Sequence, residues 1–195
     1  MNALIQQGGL MMGPLLICSM MALAVIFERA LFWRKAHQHG QTCQVDRVIL
    51  ARKKKEALDP SWSQSKDPVT QVLIQALVFK GKARQSWIDH AISQELQRVK
   101  RFMGILDTII SIAPLLGILG TVMGIIVSFN LLGGAGLQDP KAVTGGIAQA
   151  LITTAFGLLI AIVSMVPYNY FLSRIDAFVS KLESSVSRLE WVESL

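Results

Sequence analysis

The sequence predicts an all-α integral membrane protein: three transmembrane helices with long cytoplasmic helical extensions. Three observations carry that expectation. The 195 residues are 52% hydrophobic and only 16% charged, far too apolar for an ordinary soluble domain. The apolar residues are blocked into three runs, Leu10 to Phe27, Ile105 to Phe129 and Ile147 to Pro167, each long enough at 1.5 Å per residue to cross about 30 Å of hydrocarbon. Between the first two runs and after the third the chain is polar, with helical periodicity and few turn residues.

Residues 1–28 read as an N-terminal segment and the first span. The stretch MNALIQQGG lacks a positive region, and Arg29, Arg34 and Lys35 follow the apolar run instead. A retained anchor with its amino terminus outside is therefore expected, not a cleaved signal. Cys18 lies inside this run and Cys43 beyond it, in different environments that exclude a spaced metal or redox pair.

Residues 29–104 read as a cytoplasmic helical region. Most basic residues cluster here, among them Arg47, Arg52, Lys53, Lys54, Lys55, Lys80, Arg98 and Arg101, whereas the link 131–146 holds only Asp139 and Lys141. The positive-inside tendency places the middle region and the tail in the cytoplasm and the link in the periplasm. The net charge of +6 reports topology first. The run Lys53 to Lys55 reads as a patch under an anionic leaflet, so lipid and not nucleic acid is the expected partner. His37 and His39 have no third ligand nearby and His90 falls on a helix surface, so no metal site is expected.

The middle region is expected to be helical rather than a separate folded domain, with turns at Asp59-Pro60-Ser61, Asp67-Pro68 and Gly81. From Trp87 one stripe runs through Ala91, Gln94, Arg98 and Arg101, another through Ile88, Ile92, Leu96, Val99, Met103 and Leu106. No breaker intervenes, which predicts one helix continuing into the second span, residues 105–130. The third span covers 147–171. In the tail, 172–195, Ile175, Val179, Leu182, Val186 and Leu189 alternate spacings of four and three; this fits either a helix packed on other helices or a solvated continuation of the third span.

The second span carries Ala113, Gly117, Gly120, Gly124 and Ser128 on one narrow face, and the third repeats the device with Gly146, Ala150, Thr153, Gly157, Ala161 and Ser164. Small faces let membrane helices approach closely and gain van der Waals contact, which compensates for the roughly 1 kcal/mol each interior glycine costs. Thr121 and Thr154 fall seven or eight residues from the outer ends of their spans, roughly 11 to 12 Å deep by helical rise. Two hydroxyls at one depth could form a ring that receives a buried charge or water. The alternative, which geometry alone favours, is that each bonds the carbonyl four residues back in its own helix, as membrane threonines often do.

The run Ala113-Pro-Leu-Leu-Gly-Ile-Leu-Gly-Thr-Val-Met-Gly124 followed by Phe129, with Gly145-Gly-Ile-Ala-Gln-Ala-Leu-Ile-Thr-Thr-Ala-Phe-Gly157 after the link, resembles the ExbB/TolQ/MotA proton-channel family, in its ExbB/TolQ branch. The Val25-Ile-Phe-Glu-Arg29 exit of the first span is similar too; the segment Gln41 to Ala83 carries little of the likeness. The resemblance implies a homopentameric helical barrel around a dimer of a single-span ExbD/TolR-like partner whose membrane aspartate carries the proton. It extends to a TonB-like protein as a further partner. By that resemblance Thr121 and Thr154 line the pore and face the partner's carboxylate. A hydroxyl can donate to a carboxylate and accept from a carboxylic acid, so such a ring is expected to tolerate both states.

Two departures stand out. Gln149 occupies the place of the glutamate usual in ExbB and TolQ and cannot titrate, which points to a different route of proton access. Val163 occupies the place of the usual proline, with Pro167 one turn later, so any kink is displaced toward the cytoplasm. Asp107, the one acid within the apolar stretches, reads either as an acceptor of protons leaving the pore or as an interfacial carboxylate held by Arg101 or Arg174. The sequence holds no catalytic constellation or phosphate loop, so neither an enzyme nor a cofactor is expected. The leading reading is an inner-membrane motor subunit, driven by the ion-motive force, that energises a TonB- or Tol-like envelope process. A non-conducting scaffold, marked by Gln149, and a gliding or flagellar-type stator are the alternatives.

Overall fold

The computed structural model describes residues 11–39, 42–53, 67–77, 82–135 and 140–193. Over these residues the chain forms helices α1 (Met12–His39), α2 (Thr42–Lys53), α3 (Pro68–Ala76), α4 (Lys82–Lys100), α5 (Met103–Ala135) and α6 (Pro140–Glu193), and no strand is present among them. Segments Met12–Lys35, Met103–Asn130 and Thr144–Val192 are long and apolar enough to cross a membrane. This is the predicted all-α, three-span architecture. Both α5 and α6 run on past the ends expected for their spans, and Pro114 and Pro167 lie inside them without ending either helix.

The chain divides into two compact units, residues 1–28 with 102–170 and residues 29–101 with 171–195. In the first, Ala22 and Val25 of α1 pack with Leu106 and Ile109 of α5, joined by Ile160 and Tyr168 of α6. Large apolar side chains on the outside of this unit, such as Phe27, Phe129 and Val166, stay exposed, as expected where lipid or another helix replaces water.

The second unit corrects the expectation of helices without a folded domain. Val45, Val48 and Ile49 of α2, Val72, Leu73 and Ala76 of α3, Ile88 and Ala91 of α4, and Leu182, Val186 and Leu189 of α6 form one apolar core. Of the two readings the sequence left open for the tail, packing on other helices is the one found; the tail is continuous with the third span but its apolar stripe is buried and not solvated. Asp67-Pro68, which reads as a turn, starts α3. Asp67 Oδ2 accepts from the Thr70 amide at 3.1 Å and the Thr70 hydroxyl at 2.6 Å, and Pro68 holds the first helical position, where its missing N–H costs nothing.

The single helix predicted from Trp87 into the second span is also corrected. α4 ends at Lys100, a turn covers Arg101–Phe102, and α5 begins at Met103. Phe102 has φ 64°, a left-handed conformation that costs a side-chain-bearing residue roughly 1–2 kcal/mol. Within the second unit the end of α4 is capped by Arg29, 2% exposed, whose guanidinium donates to the Val99 carbonyl at 3.1 Å and lies 4.5 Å over the Phe32 ring. A cation at a helix C-terminus satisfies an orphan carbonyl and opposes the macrodipole.

Candidate functional site

The small faces of α5 and α6 meet each other. Ala113, Gly117, Gly120 and Ser128 on α5 are buried, as are Ala150, Thr153, Gly157, Ala161 and Ser164 on α6. A methyl group at Gly157 would lie 2.5 Å from the Ala113 carbonyl oxygen and 3.0 Å from Gly117 Cα, and one at Gly117 would lie 3.0 Å from Thr154 Cα. At Gly124 it would meet Ala150 Cβ at 2.7 Å; at Gly120 it would overlap the Thr153 methyl and at Gly146 the Ser128 hydroxyl. The glycines of the second span thus meet the chain's own third span, and those of the third span meet the second. Gly145, one residue from the contact face, has nothing within 4 Å of such a methyl.

The same contacts fix the register of the hydroxyls. Gly117 lies against Thr154 and Gly120 against Thr153, so Thr121 and Thr154 sit within about one helical turn of a common level. Both are half-buried. The Thr121 hydroxyl donates to the Ile118 carbonyl at 2.6 Å, three residues back, whereas the Thr154 hydroxyl donates across the pair to the Gly117 carbonyl at 2.8 Å. The local-bond alternative thus describes Thr121 and also Thr153, which donates to Gln149 at 3.0 Å. It does not describe Thr154.

α1 lies along one flank of the pair. Leu15, Ser19 and Ala22 of α1 and Phe156, Ile160 and Ser164 of α6 line a hollow of about 260 Å³; Cys18 and Met21 of α1 with Ile105, Ile109 and Ile112 of α5 line another of about 300 Å³. At 100° per residue, Thr121 and Thr154 fall on the opposite flank of each small face. Their neighbours there, Ile118 and Ile125 on α5 and Leu151 and Leu158 on α6, are exposed. Gln149 falls toward the α1 flank and is half-buried.

Asp107 is exposed, nearly three turns from Gly117 along α5, and accepts a hydrogen bond from the Tyr168 hydroxyl of α6. Tyr168 is a partner that sequence reasoning missed in favour of arginines; a tyrosine one residue after the displaced Pro167 was the available signal. His90 lies on the helix surface. His37 and His39 belong to α1, their side chains outside the described residues. Among the described residues no cluster of His, Cys, Asp or Glu could hold a metal.

A backbone-tight helix pair, flanked by a third apolar helix on one side and carrying hydroxyls on its open apolar side, defines a three-span helical membrane protein. The sequence model of the MotA/TolQ/ExbB proton channel family matches residues 62–184. This chain belongs to that family. It is similar to ExbB-like 3 of Synechocystis sp., 32% identical over 191 residues that cover 95% of this chain and 91% of the relative. The ExbB homolog of Methanothermobacter thermautotrophicus is 38% identical over 66% of this chain and 46% of its own length. The Tol-Pal system protein TolQ of Haemophilus influenzae is 36% identical over 51% of this chain, which spans 43% of that relative.

Proposed function

We propose that the chain is a subunit of an inner-membrane motor driven by the ion-motive force, five copies enclosing single-span partners of the ExbD/TolR type. Its amino terminus is periplasmic, and residues 29–104 and 172–195 are cytoplasmic. The observation that supports this reading best is the placement of Thr121 and Thr154: two hydroxyls near one level, on the flank α1 leaves uncovered, amid exposed isoleucine and leucine. Each hydroxyl, bonded to a backbone carbonyl, keeps lone pairs that can serve a carboxyl group brought into the membrane by a partner. An acid on the partner's span passes this level as it takes up and releases its ion, while Asp107 with Tyr168 stands toward the cytoplasmic end. The relatives' names support transport of the ExbB or Tol-Pal kind as the process energised.

The test is Thr154→Val beside Thr154→Ser. Valine keeps shape and β-branching but removes the hydroxyl, at a cost of roughly 1 to 3 kcal/mol where a buried partner is left unsatisfied, or about a tenfold to hundredfold loss of ion-driven activity. Serine retains most of it. Assembly, followed by copurification with the single-span partner, survives both. The half-buried Gln149 in place of an acid favours a second reading, a non-conducting scaffold. Full activity in the valine variant would discard the pore role, whereas loss of the complex together with activity would make Thr154 a packing residue and leave the scaffold reading standing.

A further inference from the structure

Thr154 Oγ1 lies 2.8 Å from the Gly117 carbonyl oxygen, and Thr121 Oγ1 lies 2.6 Å from that of Ile118. A carbonyl can only accept, so the proton in each bond is the threonine's own. A hydroxyl owns one proton and two lone pairs. With the proton committed, each side chain turns only lone pairs toward whatever covers the open flank. For Thr121 the bond stays within one helix. For Thr154 it depends on the neighbouring helix, because only the glycine at 117 lets the α5 backbone come close enough to take the proton.

We propose that Thr121 and Thr154 form an acceptor-only site that binds a neutral carboxylic acid in preference to a carboxylate, with the Gly117 carbonyl as the group that sets the direction of the Thr154 hydroxyl. This rests on the pathway reading above and changes its chemistry. Free hydroxyls would serve both protonation states alike; hydroxyls bonded in this way serve one. A carboxylate at this level would have to take the Thr154 proton away from Gly117, giving up one bond to gain another. A carboxylic acid donates to a lone pair that is already free. The site thus holds an acid while it carries its proton and lets it go once the proton is lost.

The sign of one measured shift decides the matter. An acid is introduced on the open flank as Leu158→Glu, one turn from Thr154 at a position 47% exposed, in the full-length protein in lipid nanodiscs. Its protonation is followed by the infrared carboxyl band as pH is varied. Asp107 and Tyr168 lie ten residues from Gly117 and fourteen from Thr154, roughly 15 and 21 Å along the helices, and Lys141 lies thirteen residues the other way. These groups are common to every variant compared. Adding Thr154→Val is expected to lower the pKa of the introduced acid by roughly 0.5 to 1 unit, the size of one net hydrogen bond lost by the neutral form alone. Thr154→Ser is expected to restore it.

Leu151→Glu, on the other side of Thr154 and 63% exposed, repeats the measurement from a second direction. A rise in pKa on Thr154→Val would show the hydroxyl donating to the carboxylate, and an unmoved pKa at both positions would show no such contact; either result overturns the proposal. A rise combined with loss of ion-driven activity in Thr154→Val would leave the pathway in place and remove only its acceptor-only character.

Discussion

Thr153 and Thr154 are neighbours with opposite surroundings. Thr153 is 1% exposed, its methyl packed over Gly120 and its hydroxyl turned back on Gln149 of its own helix. Thr154 is half-buried and bonded to a different helix. Thr153→Val keeps the methyl over Gly120 and gives up a bond that a helix makes poor use of, so it should change stability by less than about 1 kcal/mol and leave ion-driven activity near the parent level. Assayed together, the two valine variants should therefore separate sharply in activity and hardly at all in complex formation. The different faces of the two threonines were legible in the sequence from spacing alone. The acceptor of Thr154 was not, because it depends on the axial register of α5 against α6, which no periodicity within one helix encodes.

Among the elements, the glycines of α5 and α6 divide by what lies against them. Gly157→Ala would drive a methyl into the Ala113 carbonyl at 2.5 Å and Gly117 Cα at 3.0 Å, backbone atoms that yield only by moving a helix, at roughly 1–3 kcal/mol. Gly145→Ala meets open space and should gain up to about 1 kcal/mol from helix propensity. Heating both variants in detergent and following the surviving complex by size-exclusion chromatography should show the first falling below the parent and the second at or above it. Gly120→Leu should abolish the assembled form. The sequence revealed these glycine faces but not the break at Arg101–Phe102: apolar stripes run through it unchanged, and the residue in the left-handed conformation is a phenylalanine, not a glycine. Nor did it reveal the cap on α4, since Arg29 and Val99 are 70 residues apart. Arg29→Met preserves the length and apolar stem while deleting the donor to Val99 and the charge over Phe32; a loss of roughly 1–3 kcal/mol is expected, read as a lower midpoint in thermal circular dichroism.

At the scale of the molecule, the three spans were legible because composition and run length alone report a bilayer. The second unit was not, because its core gathers side chains from four separate segments, none of which advertises its neighbours. That core, and not surface charge, holds the unit: the Asp46–Arg188 pair at 3.0 Å is exposed on both sides, where such pairs contribute at most about 1 kcal/mol. Leu73→Ala, at a site with no exposed surface, should cost about 2–5 kcal/mol and speed proteolysis within 29–101 and 171–195. The close meeting of α5 and α6 bears on leakage. From Ala113 against Gly157 to Ser128 against Gly146, the two helices leave no bore between them for a file of water molecules, so a proton finds no wire through the middle of one protomer. The seam between α5 and α6 is thus closed by backbone contact along its length.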